Sequence, residues 1–257
     1  MDDTDEALRS LLAEAEAGDA LTRRRRAAHT AGNAGAASTH ARDGSVRKYV
    51  VIGHDDRWAV DALRAYPYRC IFRLSIRWPG GDTEGGTAFL VGPRTLLTAA
   101  HCVCRPGHGP GEVSVTGAGG NTYRAGSATW PRAWQDRGDD GSDVACIQLT
   151  SDPGTSLGHF GTRSLTSSEA ENTFALAGYP VSRGAGLYAA SGSIQGLDPV
   201  LVHHTIDTGG GQSGSPVFSM INGVAMAVGI HLLGANPHNR ALRLTAEKID
   251  QIRRWIG

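Results

Sequence analysis

Gly-Thr-Ala-Phe-Leu-Val-Gly-Pro-Arg-Thr-Leu-Leu-Thr-Ala-Ala-His-Cys, residues 86–102, contains two short apolar runs separated by a Gly-Pro-Arg segment. The runs at 86–91 and 95–100 are short and bounded by turn residues, as expected for buried strands. Glycine and proline between them indicate that the chain reverses. The stretch therefore predicts a β-hairpin whose second strand leads directly to His101.

Similar short runs occur along the chain, at residues 69–78, 144–149, 173–178 and 199–206. Asn222-Gly223 lies between apolar runs and is a strong hairpin signal, because both turn residues adopt positive φ. Many short strands with turns between them predict an all-β sandwich or barrel. Only residues 246–256 return to helical spacing, and they predict a C-terminal helix.

The N-terminal part of the chain has a different composition. Residues 5–28 carry leucines at helical spacing and predict a helix, whereas residues 30–46 are small and polar, as in a linker. We therefore divide the chain into residues 1–49, a helix plus flexible linker with a propeptide-like or regulatory role, and residues 50–257, a domain of short strands.

Charge and hydropathy exclude several functions. The 25 Lys and Arg residues balance 25 Asp and Glu residues, which argues against a nucleic-acid binder or a polybasic membrane anchor. The uncharged run 208–239 is interrupted by Pro216, Gly223 and Asn236, which is unlike a membrane span. The first ten residues lack the apolar region of a secretory signal, so we predict a cytoplasmic location, or a secreted protein if a signal peptide has been trimmed from the chain.

Three motifs carry residue types suited to nucleophilic catalysis: His101-Cys102, Gly141-Ser142-Asp143, and Gly209-Gly210-Gly211-Gln212-Ser213-Gly214. Each alone has a structural interpretation, as a core histidine, a turn aspartate or a plain glycine loop. Together they supply a serine, the imidazole base that it needs and the carboxylate that orients this base. Glycines beside the serine let backbone N–H groups approach a developing oxyanion.

With the order His101, Asp143, Ser213, the sequence resembles the trypsin-fold serine peptidases, and within them the bacterial glutamyl endopeptidases. The resemblance runs from about residue 50 to the C-terminus and is carried by residues 51–57, 65–69, 92–102, 178–180, 207–218 and 239–245. It implies two six-stranded antiparallel β-barrels with a C-terminal helix, here preceded by an N-terminal helical extension.

The resemblance also implies the roles of the site residues. Ser213 is expected to be the nucleophile, His101 the general base and then acid, and Asp143 the orienting carboxylate. The N–H groups of Gly211 and Ser213 are expected to form the oxyanion hole. The neighbouring alternatives are Ser215, Asp139 and Asp140; the family motif favours Ser213, and Asp143 alone opens an apolar run.

Thr208 and His231 occupy the positions that line the pocket for an acidic P1 side chain in glutamyl endopeptidases. A hydroxyl and an imidazole can replace the water lost by a buried carboxylate. Gln212 stands where digestive relatives carry an aspartate that pairs with a new N-terminus, so that switch is not expected here. In the glutamyl branch the mature amine lies near the P1 pocket, and alignment places that start near Val50 or Val51.

The cysteines depart from the family pattern. Many relatives join the cysteine after the catalytic histidine to one fifteen residues before that histidine, where this chain has Gly86, so Cys102 is not expected to form that bridge. A zinc site formed by Cys102, Cys104 and His108 together with His101 is not expected, because catalysis already uses His101 and a C-x-C pair without a second cysteine pair has poor ligand spacing. We expect no metal and no cofactor.

The sequence therefore predicts a serine endopeptidase that cleaves protein or peptide substrates after Glu, with Asp as a second option, through an acyl-enzyme. Its N-terminal segment is expected to restrain it, and the N-terminal helix could bind a regulatory partner; no nucleic-acid or membrane partner is expected. Two alternatives remain open: a dedicated intracellular effector protease that cuts one partner protein, and a non-catalytic homologue that acts as a binding module.

Overall fold

The computed structural model describes residues 51–256 except Gly53, Ala170, Glu171 and Asn236. The predicted N-terminal helix and linker lie outside the described residues.

The described residues form mainly short strands, few helices and five 3-10 turns. The strands are β1 Trp58–Ala59, β2 Ile71–Arg77, β3 Thr83–Leu90, β4 Thr95–Thr98, β5 Cys104–Arg105, β6 Gly109–Pro110, β7 Glu112–Gly117, β8 Thr122–Tyr123, β9 Ala125–Thr129, β10 Ala145–Leu149, β11 Gly161–Thr162, β12 Thr173–Gly178, β13 Tyr188–Leu197, β14 Leu201–His204, β15 Pro216–Ile221, β16 Val224–Leu233 and β17 Asn239–Arg243. The α-helices are α1 Arg132–Arg137, α2 Gly154–Leu157 and α3 Ala246–Ile256.

The strands build two barrels. In the C-terminal barrel the order is β13-β12-β15-β16-β17-β14, and β14 pairs again with β13, so six strands close the ring. In the N-terminal barrel the order is β8-β7-β2-β3-β4-β10-β9, which is nearly closed. The predicted all-β, two-barrel fold with a C-terminal helix is confirmed.

Local sequence signals account for several elements. Asn222 and Gly223 have φ of 49° and 77° and connect β15 to β16, as the Asn-Gly pair predicts. In the predicted hairpin at 86–102, however, the returning strand ends at Thr98 instead of Ala100. Residues Ala100–Cys102 form a 3-10 turn, which places His101 at the edge of the barrel.

Helix α3 packs on the domain through Ile249 and Ile252, which are buried. At its end, the carbonyl of Trp255 accepts a hydrogen bond from the side chain of Gln148 in β10, at 2.6 Å. The helix therefore follows the C-terminal barrel but contacts the N-terminal one. Among the described residues, no helix combines the length and the apolar character that crossing a membrane requires.

Candidate active site

His101 and Asp143 form a close pair at the edge of the N-terminal barrel. His101 Nδ1 lies 2.7 Å from Asp143 Oδ2, and the backbone N–H of His101 donates to Asp143 Oδ1 at 2.9 Å. Burial alone would lower the pKa of His101, but the charge and hydrogen bond of Asp143 reverse this and hold it well above its ordinary value. The bond to Nδ1 leaves Nε2 as the nitrogen available for proton transfer.

Asp143 follows a 3-10 turn, Asp140–Ser142, whose shape is fixed by contacts on both sides. Ser142 Oγ donates to Asp139 Oδ2 at 2.8 Å, and Lys248 Nζ in α3 donates to the carbonyl of Gly141 at 2.8 Å. The structure therefore brings Asp143 to His101, and gives Asp139 a contact within the turn. Lys248 was not singled out from the sequence, because it is 107 residues from Gly141.

Ser213 lies on the loop before β15, and its side chain shares a cleft with His101. Its hydroxyl donates to the carbonyl of Leu232 at 3.0 Å, and its own carbonyl accepts from the N–H of Thr87 at 2.8 Å. Before Ser213 can attack a substrate, its hydroxyl must leave the carbonyl of Leu232 and donate its hydrogen bond to His101 instead. Such exchanges are common, because catalytic hydrogen bonds often tighten only when substrate binds.

The predicted oxyanion hole has two free donors. Around it, the N–H of Gln212 donates to Gly209, and that of Gly214 donates to His231, at 3.0 and 2.7 Å. The N–H groups of Gly211 and Ser213 have no acceptor within the described part of the chain. Gly211 has φ of 96°, and a Cβ there would lie 2.4 Å from the carbonyl of Tyr179, so only glycine suits the position.

The predicted P1 residues are buried and their polar atoms have no partner. Thr208 and His231 are both fully buried. Thr208 Oγ1 has no hydrogen bond, and neither ring nitrogen of His231 has a partner at full hydrogen-bond geometry, although the backbone of Arg240 lies close enough to raise the pKa of the ring. Backbone bonds fix His231 beside the nucleophile loop, since its N–H donates to Ser215 at 2.8 Å. Burial lowers the pKa of His231 well below its ordinary value, so the imidazole is neutral.

A second buried imidazole, His204 in β14, lies behind His231. The two ring centroids are 5.5 Å apart in an edge-to-face arrangement, and neither ring nitrogen of His204 has a partner. Burial lowers the pKa of His204 to about 3. Strand alternation predicts that one histidine of the pair 203–204 points inward, but the sequence does not place it against His231.

Asp207, next to Thr208, does not face the pocket as a free carboxylate. Its oxygens accept the backbone N–H groups of Ile52 and Asp56 at 2.7 and 2.9 Å. Burial raises its pKa to about 6. The largely buried side chain of Arg57 forms an ion pair with Asp55 at 2.7 Å and donates to the side-chain oxygen of Gln212 at 3.5 Å. The first described residues are thus attached to the loop that carries Thr208 and Ser213.

The cysteines of the chain are free and buried: Cys70, Cys102, Cys104 and Cys146. A Cβ on Gly86 would lie 3.0 Å from the Cys102 sulfur. The position that carries the bridging cysteine in relatives is thus occupied by glycine, directly beside Cys102. Within the described residues, no three or more His, Cys, Asp or Glu side chains form a group that could hold a metal ion.

Comparisons with known proteins find a matching family model and similar sequences. Residues 86–230 match the family model of the trypsin-like peptidase domain. A glutamyl endopeptidase of Bacillus licheniformis is 33% identical over 80% of this chain and 68% of its own length. A Bacillus subtilis protein named extracellular metalloprotease is 30% identical over 80% of this chain and 70% of its own.

Two solved structures have a similar fold. A Glu endopeptidase in complex with MPD superposes with a TM-score of 0.71 at 27% identity, covering 80% of this chain and 99% of its own. The protease Anisep from Arthrobacter nicotinovorans, at 18% identity and a TM-score of 0.57, shares the fold; it covers 68% of this chain and 89% of its own.

Proposed function

The chain belongs to the trypsin-like peptidase family and is a serine endopeptidase, and from this premise we propose that it cleaves peptide bonds after Glu, and also after Asp. The observation that carries the proposal is the pair of buried, unpartnered polar side chains next to the nucleophile loop, Thr208 and His231. Leaving buried polar atoms unsatisfied costs free energy, which a ligand of matching polarity recovers.

An acidic side chain matches this pocket. A carboxylate accepts hydrogen bonds from the Thr208 hydroxyl and from one N–H of the neutral His231. A basic side chain would need a carboxylate, but Asp207 already accepts two backbone N–H groups. Once a substrate carboxylate is bound, its charge raises the pKa of His231, and the imidazolium strengthens the contact.

The catalytic steps follow from the remaining residues. His101 takes the proton of Ser213 as the hydroxyl attacks the scissile carbonyl, and Asp143 stabilises the imidazolium. The N–H groups of Gly211 and Ser213 receive the oxyanion. His101 then gives its proton to the leaving amine, and water hydrolyses the acyl-enzyme by the same route in reverse order. These steps need no cofactor.

Cleavage mapping tests the proposal. Wild type and Ser213→Ala are incubated with a proteome-derived peptide library, and the new N-termini are identified by mass spectrometry. We expect wild type alone to generate cuts, with Glu dominant at P1 and Asp second. A wild-type map without enrichment of acidic residues at P1 would refute the specificity.

We further propose that residues 1–49 restrain the domain formed by residues 50–257. The support is the attachment of Ile52 and Asp56 to Asp207, which connects the entry of the chain into the domain with the residue next to Thr208. Processing near Val50 or Val51 is then expected to raise activity. Full activity in an uncut preparation, verified by intact mass, would contradict this.

A regulatory partner for the N-terminal helix and a cytoplasmic location stay predictions. The word extracellular in the name of the Bacillus subtilis relative applies to that protein.

A dedicated effector protease would give the same P1 preference but cut one protein of a native proteome. A cleavage map made on folded proteins therefore separates a dedicated effector from a broad endopeptidase.

A further inference from the structure

Thr87 in β3 connects the N-terminal barrel to the nucleophile loop, residues 205–215, through all of its polar groups. Thr87 is fully buried, and its hydroxyl donates to the carbonyl of Gly211 at 2.9 Å while accepting the N–H of Tyr179 at 3.0 Å. Its own N–H donates to the carbonyl of Ser213 at 2.8 Å, and its carbonyl accepts from the hydroxyl of Thr98 at 2.7 Å. One residue of the N-terminal barrel thus contacts both residues of the proposed oxyanion hole.

The backbone of the nucleophile loop needs contacts of this kind to hold one conformation. Residues 209–211 are three successive glycines, and Gly211 has φ of 96°. Glycine loses more conformational freedom on folding than any other residue, so a run of glycines has little conformational preference of its own. The order of this loop must therefore come from hydrogen bonds to its neighbours.

The peptide planes of the two proposed oxyanion donors are held through their carbonyls. A peptide group is planar, so an N–H is fixed in direction once the carbonyl of the preceding residue is fixed. The N–H of Gly211 shares its plane with the carbonyl of Gly210, which accepts from the N–H of Val181 at 2.7 Å. The N–H of Ser213 shares its plane with the carbonyl before it, which accepts from the N–H of Ser215 at 3.1 Å.

The peptide plane between these two is held by the side chain of Thr87. Its carbonyl belongs to Gly211 and accepts from the Thr87 hydroxyl, and its N–H belongs to Gln212 and donates to the carbonyl of Gly209 at 3.0 Å. This plane links the two donor planes, so its orientation sets the angle at which the N–H groups of Gly211 and Ser213 meet. Among the described residues, loss of the Thr87 hydroxyl would leave the plane with only the bond inside the loop.

The threonine side chain suits this position because its hydroxyl donates and accepts at the same time. Without it, the carbonyl of Gly211 and the N–H of Tyr179 would each lose a buried hydrogen bond. Gly178 leaves space for the hydroxyl, since a Cβ there would lie 2.9 Å from Thr87 Oγ1. Valine has the same shape but neither donates nor accepts, whereas serine keeps the hydroxyl.

We propose that the hydroxyl of Thr87 positions the oxyanion hole, by holding the Gly211 carbonyl so that the N–H groups of Gly211 and Ser213 converge before substrate binds. The inference rests on the proposed nucleophile and oxyanion donors. Donors that are oriented in advance need no reorganisation when negative charge develops on the substrate. Thr87 acts through the backbone of Gly211 and is therefore a positioning residue. Since it belongs to β3, the N-terminal barrel supports the oxyanion hole as well as the base.

Variants that separate the hydroxyl of Thr87 from its shape test the inference. Wild type, Thr87→Val and Thr87→Ser are compared for kcat and KM on a peptide amide with Glu at P1, and for the rate at which a fluorophosphonate labels Ser213. Thr87→Val should lower kcat and the labelling rate by about ten- to a hundredfold each with KM nearly unchanged, which is less than the loss of a whole oxyanion donor. Thr87→Ser should stay within about threefold of wild type in both measurements.

Thr95→Val is the matched control, because Thr95 is a fully buried threonine of the same barrel whose hydroxyl donates to Gln148 at 3.1 Å and not to the nucleophile loop. It should lose thermal stability, as Thr87→Val does, but keep the kcat of wild type. Thr87→Ala removes the same hydroxyl without placing a second methyl group against the Gly211 carbonyl, and it takes the place of Thr87→Val if the valine variant does not fold.

Wild-type kcat in the valine or alanine variant of Thr87, or an equal loss of kcat in Thr87→Ser, would overturn the inference, because the hydroxyl would then not be the group that acts. Failure of the proposed P1 specificity gives a different result, in which wild type reacts with the fluorophosphonate but shows no preference for Glu. In that case a reduced labelling rate in Thr87→Val would still support the role of Thr87, and an unchanged rate would still overturn it.

Discussion

In the N-terminal barrel the buried polar side chains are bonded within the protein, whereas several in the C-terminal barrel are not. Thr98 donates to Thr87 at 2.7 Å, and both oxygens of Asp143 are used by His101. Among the described residues, the buried side-chain atoms without a partner include those of Thr208, His204 and His231, all in the C-terminal half.

The difference separates catalysis from recognition. In the proposed mechanism, the N-terminal barrel holds a base that is oriented before substrate arrives, which reduces the reorganisation needed during reaction. In the proposed P1 site, the polar atoms of the C-terminal barrel are satisfied only when a ligand is present. Each barrel can therefore be tested by a different kind of measurement.

The largest effect is expected at the seam between the barrels. Ser213→Ala should lower kcat by about 10⁶, because the hydroxyl and the base act as one unit. Ser215→Ala, two residues away and also buried, is the matched control and should stay active. Labelling with a fluorophosphonate probe measures both. A labelled Ser213→Ala protein would mean that the nucleophile has been assigned wrongly.

Substitutions in the proposed P1 site of the C-terminal barrel should reduce activity less than loss of the nucleophile. His231→Ala is expected to reduce kcat/KM for cleavage after Glu by about ten- to a hundredfold, since hydrogen bonds to a charged group contribute about 1.5–3 kcal/mol. His203→Ala is the control, because His203 is half-buried on β14 and bonded to Asp198. An unchanged Glu preference in a peptide-library digest would show that His231 does not line the pocket.

A substitution of Lys248 tests whether the C-terminal helix α3 helps to position Asp143 at the edge of the N-terminal barrel. Lys248→Met removes the donor to the Gly141 carbonyl and loosens the turn before Asp143. We expect kcat to fall by roughly threefold to tenfold with KM unchanged, because a misplaced catalytic group slows the chemical step. The pH at which kcat/KM reaches half its maximum should fall, since a looser Asp143 raises the pKa of His101 less.

Arg253→Met on the same helix is the control for Lys248, because Arg253 is exposed and its ion pair with Asp250 lies within the helix. A Lys248→Met protein with a wild-type pH profile would assign Lys248 to stability alone.

The smallest effect concerns stability in acid. Burial lowers the pKa of His204 to about 3 and that of His231 well below its ordinary value, so the unfolded chain binds these protons first. The free energy of unfolding therefore falls as pH is lowered from about 6.5. Burial raises the pKa of Asp207 to about 6, so the folded state binds this proton before the unfolded chain does. The resulting gain in the free energy of unfolding cancels the loss caused by one of the two imidazoles.

Urea titrations between pH 6.5 and 4 should then show wild type losing about 1 kcal/mol per pH unit from these three groups. The free energy of unfolding of His204→Gln should fall less per pH unit than that of wild type. Identical slopes for wild type and His204→Gln would contradict a neutral, buried His204.

Local signals in the sequence sufficed for elements that depend on few residues. Asn222-Gly223 specified a hairpin because its two turn residues need positive φ, and residues 246–256 formed the predicted helix. The second strand of the first hairpin was predicted two residues too long. Its end depends on tertiary contacts, since Thr98 bonds to Thr87 and Thr87 bonds to Ser213.

Sequence alone determined the fold class and the candidate triad, because the three motifs occur in an order that a known family shares. Tertiary structure alone placed His204 behind His231 and Lys248 on the turn before Asp143. These contacts join residues far apart in the chain, and no local preference encodes them. The histidine contact arises when the C-terminal barrel closes, and the Lys248 contact arises when α3 packs against the turn before Asp143.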